Sequence, residues 1–79
     1  MKEFYFEITD TFGSELNYSW VNRLKINAKS LHGALIKLSK HSGLKFKNNG
    51  IYYKAKNACI GAYLIDSDYT IEKNKFEEI

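Results

Sequence analysis

Cys59, His32 and His41 are the residues of this chain best suited to nucleophilic, acid–base or metal chemistry, and their spacing supports none of it. The two histidines are nine positions apart on one predicted helix, off a common face and outside the i, i+4 spacing that holds a metal. Cys59 stands in an apolar run, where a thiol is expected to behave as a small hydrophobe, and it has no second cysteine to pair with. There is no glycine-rich phosphate loop, no Gly-x-Ser-x-Gly elbow and no paired carboxylates flanking an evident pocket. The expectation is a protein that is not an enzyme, with no catalytic residues, no metal and no cofactor.

Recognition chemistry is better represented, and it is carried by charge. The net charge is +3, but it is sorted along the chain. Residues 1–15 and 66–79 are both net acidic, whereas no Asp or Glu occurs between Glu15 and Asp66. That interval holds Arg23, Lys25, Lys29, Lys37, Lys40, Lys45, Lys47, Lys54 and Lys56. A single-sign block of this kind creates a field that reaches about one Debye length, roughly 8 Å at physiological salt, and attracts polyanions or acidic protein surfaces.

The elements that must position these charges are legible from periodicity. Lys2 to Thr9 alternates, with Phe4, Phe6 and Ile8 on one side, as a half-buried strand does. Asp10-Thr11-Phe12-Gly13-Ser14 has the composition of a turn, and alternation resumes from Trp20 to Ala28 in an antiparallel return, with Trp20 expected in the core or at its edge. Ser30 then precedes Leu31, Ala34, Leu35 and Leu38, the apolar spacing of a helix with a serine N-cap, and Ser42-Gly43 ends it. Leu44 and Phe46, the turn Asn48-Asn49-Gly50, and Ile51, Tyr53 and Ala55 predict a hairpin. Ala58 to Ile65 predicts a fifth, more central strand, and the polar residues 66–79 a loose tail or a short turn or helix.

These elements predict one α+β domain over residues 1–79: a single-layer antiparallel sheet of four or five strands in the order β-β-α-β-β-β, with one helix packed on one face. The composition, 44% hydrophobic and 15% aromatic without proline, is that of a folding chain. No apolar run approaches the roughly 20 residues of a membrane span, so a soluble protein of a reducing compartment with no membrane partner is expected. With Phe4, Phe6, Ile8, Leu24, Ile26, Leu44, Phe46, Ile51 and Tyr53 turned inward, the opposite parity puts Arg23, Lys25, Lys45, Lys47, Lys54 and Lys56 on the open face, with Tyr5 and Tyr52 among them. Lysines there would neutralise phosphates, and tyrosine rings could stack on unpaired bases.

The opening Tyr5–Val21, with Asp-Thr-Phe-Gly at 10–13 and Asn-Tyr-Ser-Trp-Val at 17–21, resembles the start of small bacteriophage and prophage proteins over about the first quarter of the chain. The remaining layout of helix, hairpin and apolar strand is similar in size and order to several anti-CRISPR proteins, short products of mobile elements that block CRISPR effectors. The resemblance implies stoichiometric inhibition in the host cytoplasm, through contact of the basic face with a CRISPR–Cas effector protein or its bound nucleic acid. It offers no family site residue. Many such inhibitors are acidic nucleic-acid mimics, whereas this chain is basic in its middle, so simple DNA mimicry is not expected. The alternative reading is a small nucleic-acid-binding module whose same face contacts DNA or RNA directly.

Overall fold

The structure, a computed structural model, describes residues 1–12, 15–65 and 72–79. Its strands are β1 (Lys2–Phe12), β2 (Glu15–Ala28), β3 (Phe46–Asn48), β4 (Tyr53–Ala55), β5 (Ile60–Ile65) and β6 (Glu77–Glu78), with the helix α1 (Leu31–Ser42) between β2 and β3. They form one six-stranded sheet in the order β3-β4-β5-β1-β2-β6. The α+β class and, among the described residues, the one α-helix match the sequence expectation, and a 3-10 turn at Lys73–Lys75 stands in the expected tail. The strand count and the orientation of the last strand differ: β6 runs parallel to β2, with Leu24 opposite Glu77 and Lys25 opposite Glu78. The sheet is thus mostly, not wholly, antiparallel.

The helix forms where its stop and start signals stand. Ser30 Oγ accepts from the Gly33 N–H at 3.2 Å, satisfying one of the orphan donors of the first turn. Gly43 closes the last turn at φ 74, its N–H donating to Ser39 O at 2.8 Å, a conformation that favours glycine. Lys37 Nζ donates to the Asn27 carbonyl and ties the helix flank to β2.

Helix and sheet bury one core between them, built from Phe6, Ile8, Leu24, Ile26, Ala28, Ala34, Leu38 and Ala62. Phe6, Ile26 and Leu38 have essentially no exposed surface, and truncating one of them to Ala would cost about 2–5 kcal/mol. Ile51, expected inward, is instead 78% exposed, because it stands at the tip of the β3–β4 hairpin, beyond the reach of the helix.

Two boundaries differ for a physical reason. β1 continues into the expected turn as far as Phe12, and β2 begins at Glu15, because beyond a bulge at Asp10 the pairing resumes with Thr11 opposite Leu16 and Phe12 opposite Glu15. The expected turn at 10–14 therefore includes strand residues, and its Gly13 and Ser14 lie outside the described residues, as do residues 66–71 of the expected tail. The described end of that tail is docked: Phe76 packs edge-on against the Tyr5 ring, with centroids 5.2 Å apart, and the Ile79 N–H donates to Lys25 O at 3.0 Å. Among the described residues, no helix is long and apolar enough to cross a membrane.

Candidate polyanion-binding site

Four lysines meet on the β3–β4 hairpin. Asn49 shapes its tip, the Oδ1 atom accepting from the N–H groups of Ile51 (3.1 Å) and Tyr52 (2.9 Å), while Asn48 Oδ1 accepts from the Gly50 N–H at 2.7 Å. Gly50 takes φ 97, a value side-chain-bearing residues rarely adopt. This tip fixes the register: Lys47 stands directly opposite Lys54, and the Lys56 N–H donates to Lys45 O at 2.8 Å, which sets Lys45 beside Lys56. All four side chains are exposed. Lys54 also faces Gly61 of β5, and Gly61 faces Thr9 of β1, so the lysine pairs share the face of the sheet that looks away from the helix.

Like charges set opposite each other on neighbouring strands repel, with Cβ atoms only about 5 Å apart. Among the described residues none of the four lysines is in an ion pair. Lys47, Lys54 and Lys56 line a shallow depression of about 630 Å³ together with Asn48, Asn49 and Asn57. The hairpin therefore presents uncompensated positive charge ringed by amide donors, a surface suited to an oxyanion or a row of phosphates.

Arg23 and Lys25 lie on the expected face but not in this patch. Arg23 Nε donates to Glu7 Oε2 at 3.1 Å. Lys25 Nζ lies 2.6 Å from Glu3 and 4.0 Å from Glu78. The hydrogen bond between Lys25 and Glu3 raises the lysine pKa and lowers that of the carboxyl. The six-cation face read from alternation is thus a four-lysine patch plus two neutralised cations. The difference is made by Glu3 and Glu7 of β1, which occupy the same face and pair with Lys25 and Arg23.

The two tyrosines read as exposed stacking groups are buried. Tyr5 is 2% exposed, covered by Phe76, with Lys73 Nζ 5.4 Å from its ring centroid. Tyr52 is 4% exposed, its ring laid over Gly61 beside Leu16. Neither ring is free to stack on a base. Cys59, expected in the apolar strand, is exposed in the turn that precedes β5, and its carbonyl accepts from the Thr11 N–H at 3.0 Å. His32 and His41 are exposed on the helix, and among the described residues no three of His, Cys, Asp or Glu cluster as metal ligands. Trp20, expected in the core or at its edge, is instead 42% exposed and lines a groove shared with Ile8, His41, Leu44 and Ile60.

No protein-family model, curated protein or solved structure matches this chain.

Two exposed tyrosines escaped the sequence reading. Tyr63, on β5, is directly opposite Glu7 of β1, on the same face as the lysine pairs. Tyr18 is thrown out by the bulge, in which Asp10 on β1 stands alone against Asn17, Tyr18, Ser19 and Trp20 on β2. Asp10 organises that bulge by accepting from Asn17 Nδ2 (2.8 Å), the Ser19 N–H (3.1 Å) and Thr9 Oγ1 (3.2 Å). Thr9 Oγ1 in turn accepts from the Tyr18 N–H at 2.9 Å and fixes a residue whose φ is 58. The signal was present as a cluster of short polar residues, Asp10 with Asn17 to Ser19, inside what would otherwise be two continuous strands.

Proposed function

We propose that this chain acts by binding, without chemistry, and that its target is the phosphate backbone of a nucleic acid held by Lys45, Lys47, Lys54 and Lys56. The observation that carries the reading is that Lys47 stands opposite Lys54 and Lys45 beside Lys56 and that, among the described residues, none of the four is in an ion pair, beside two other cations of the same sheet that are. An arrangement that costs stability in the free protein and relieves that cost on meeting phosphate is suited to a polyanion. The signature is electrostatic. Four phosphate contacts predict that log K falls with log salt at a slope of roughly −3 to −4.

The test is a titration of labelled DNA and RNA with the purified protein at several salt concentrations, repeated with Lys47→Ala and Lys54→Ala. Each substitution is expected to weaken binding across all sequences and to reduce the salt slope by about one. Binding that is absent, or insensitive to salt and to both lysines, defeats the reading. The inhibitor that the anti-CRISPR resemblance implies uses the same lysines on a host CRISPR–Cas effector. A pull-down from extract of a CRISPR-bearing host separates the two: nuclease-resistant capture of an effector subunit, with no affinity for free nucleic acid, would favour the inhibitor.

A further inference from the structure

We infer that the face of the sheet opposite the helix takes single-stranded rather than duplex nucleic acid, with Tyr63 and Tyr18 as the platforms on which unpaired bases stack. The inference rests on the phosphate-binding reading of the lysine hairpin and narrows its ligand. Tyr63 is 38% exposed and Tyr18 49%. Tyr63 lies two residues along β5 from Gly61, the residue that faces Lys54, so the two residues are diagonal neighbours on the same face, their backbone positions about 7–8 Å apart. Tyr18 reaches the same face from the bulge, anchored through its N–H to the buried Thr9 hydroxyl. Burial first, and then the nearby Glu7 carboxylate and Tyr63 phenol, raise the Tyr18 pKa.

The surface at Gly61, between Lys54 and the β1 strand, is apolar. It is overlain by Leu16 and the Tyr52 ring. Glu7, the carboxylate nearest the two exposed rings, is already engaged by Arg23. A strand whose phosphates sit on Lys47 and Lys54 can therefore lay its bases toward Tyr63 and Tyr18 across an apolar surface. A duplex offers the lysines the same phosphates, but its bases are already stacked on one another and present no open π-face to a ring.

The deciding measurement is fluorescence anisotropy with an oligothymidylate of about 12 nucleotides and a duplex of the same length at one salt concentration. The single strand is expected to bind at least about tenfold more tightly. Tyr63→Ala and Tyr18→Ala should each weaken single-strand binding about tenfold while leaving duplex affinity and the salt slope unchanged, and Tyr63→Phe should restore it. Both side chains are outside the buried core, and the comparison of the two ligands needs no variant at all. Equal affinity for the two ligands, or tyrosine variants that bind like the wild type, overturns the inference and leaves phosphate binding standing. Binding to neither ligand overturns both readings together.

Discussion

Gly61 lies beneath the Tyr52 ring so closely that a Cβ on the glycine would stand 2.8 Å from both Cδ2 and Cε2 of the tyrosine and 2.8 Å from Leu16 Cδ2. The bare backbone of β5 is what lets Tyr52 fold down onto the sheet, and that contact accounts for the loss of Tyr52 as a surface ring. Because the neighbour is a rigid aromatic edge rather than the end of a flexible chain, Gly61→Ala should destabilise the fold by about 1–3 kcal/mol, the range for overpacking. Urea denaturation gives the value. A stability equal to the wild type would mean that the ring moves aside freely and that its burial is incidental.

The bulge depends on one carboxylate. Asp10 accepts hydrogen bonds from Asn17 and Ser19 and from its neighbour Thr9. Asp10→Ala removes the acceptor that all three share, so the β1–β2 ladder near Tyr18 and Trp20 should loosen while the core between helix and sheet persists. The expected readouts are a lowered unfolding midpoint, altered Trp20 fluorescence and faster amide exchange at Ser19. An unchanged exchange rate at Ser19 would show that the bulge is held by the strands alone.

Acid should act through the same carboxyl and through Glu3. A hydrogen bond from Lys25 holds Glu3 below its ordinary 4.5, and hydrogen bonds from Ser19, then Asn17, hold Asp10 below its ordinary 3.8. A carboxyl with a lower pKa in the folded than in the unfolded state adds stability above its ordinary value, and that stability is lost as pH falls through the folded value. Lys25, raised above its ordinary 10.5 by Glu3, adds stability that is present below 10.5 and lost as pH rises through its folded value. Thermal midpoints should thus be level through neutral pH and decline at both extremes. In Glu3→Gln with Asp10→Asn the acid decline should be shallower, and an acid limb identical to the wild type would exclude these two groups as its source.

How much of this was legible in the sequence follows from which forces are local. The helix was, from its Ser30 cap to Gly43, because capping and i, i+3, i+4 spacing involve neighbours in the chain. The hairpin turn at Asn48 to Gly50 was legible for the same reason. The parity of Arg23, Lys25 and the four lysines also held, since alternation is a property of each strand alone. What escaped depends on distant partners. Glu3 and Glu7 neutralise Lys25 and Arg23 only because β1 lies beside β2, and Tyr5 is covered only because Phe76 returns over it from the other end of the chain. The two-residue strand β6 has no periodicity to detect, and the bulge lets the β1–β2 pairing resume beyond an apparent interruption.

The lysine pairs should trade stability against binding, and one substitution can measure both. Lys54 faces Lys47, so Lys54→Glu replaces a repulsive cross-strand pair with an attractive one. A change of this kind is expected to stabilise the hairpin by about 0.5 kcal/mol. The same change removes one phosphate contact and adds a like charge for any polyanion to meet, so affinity should fall well beyond the effect of Lys54→Ala. Salt sharpens the contrast, because screening relieves the wild-type repulsion and should raise the stability of the native protein more than that of the variant. Opposite signs for stability and affinity are the outcome that the four-lysine site requires. A variant that loses stability while keeping its affinity would show that Lys47 and Lys54 serve the fold and that the anion is held elsewhere.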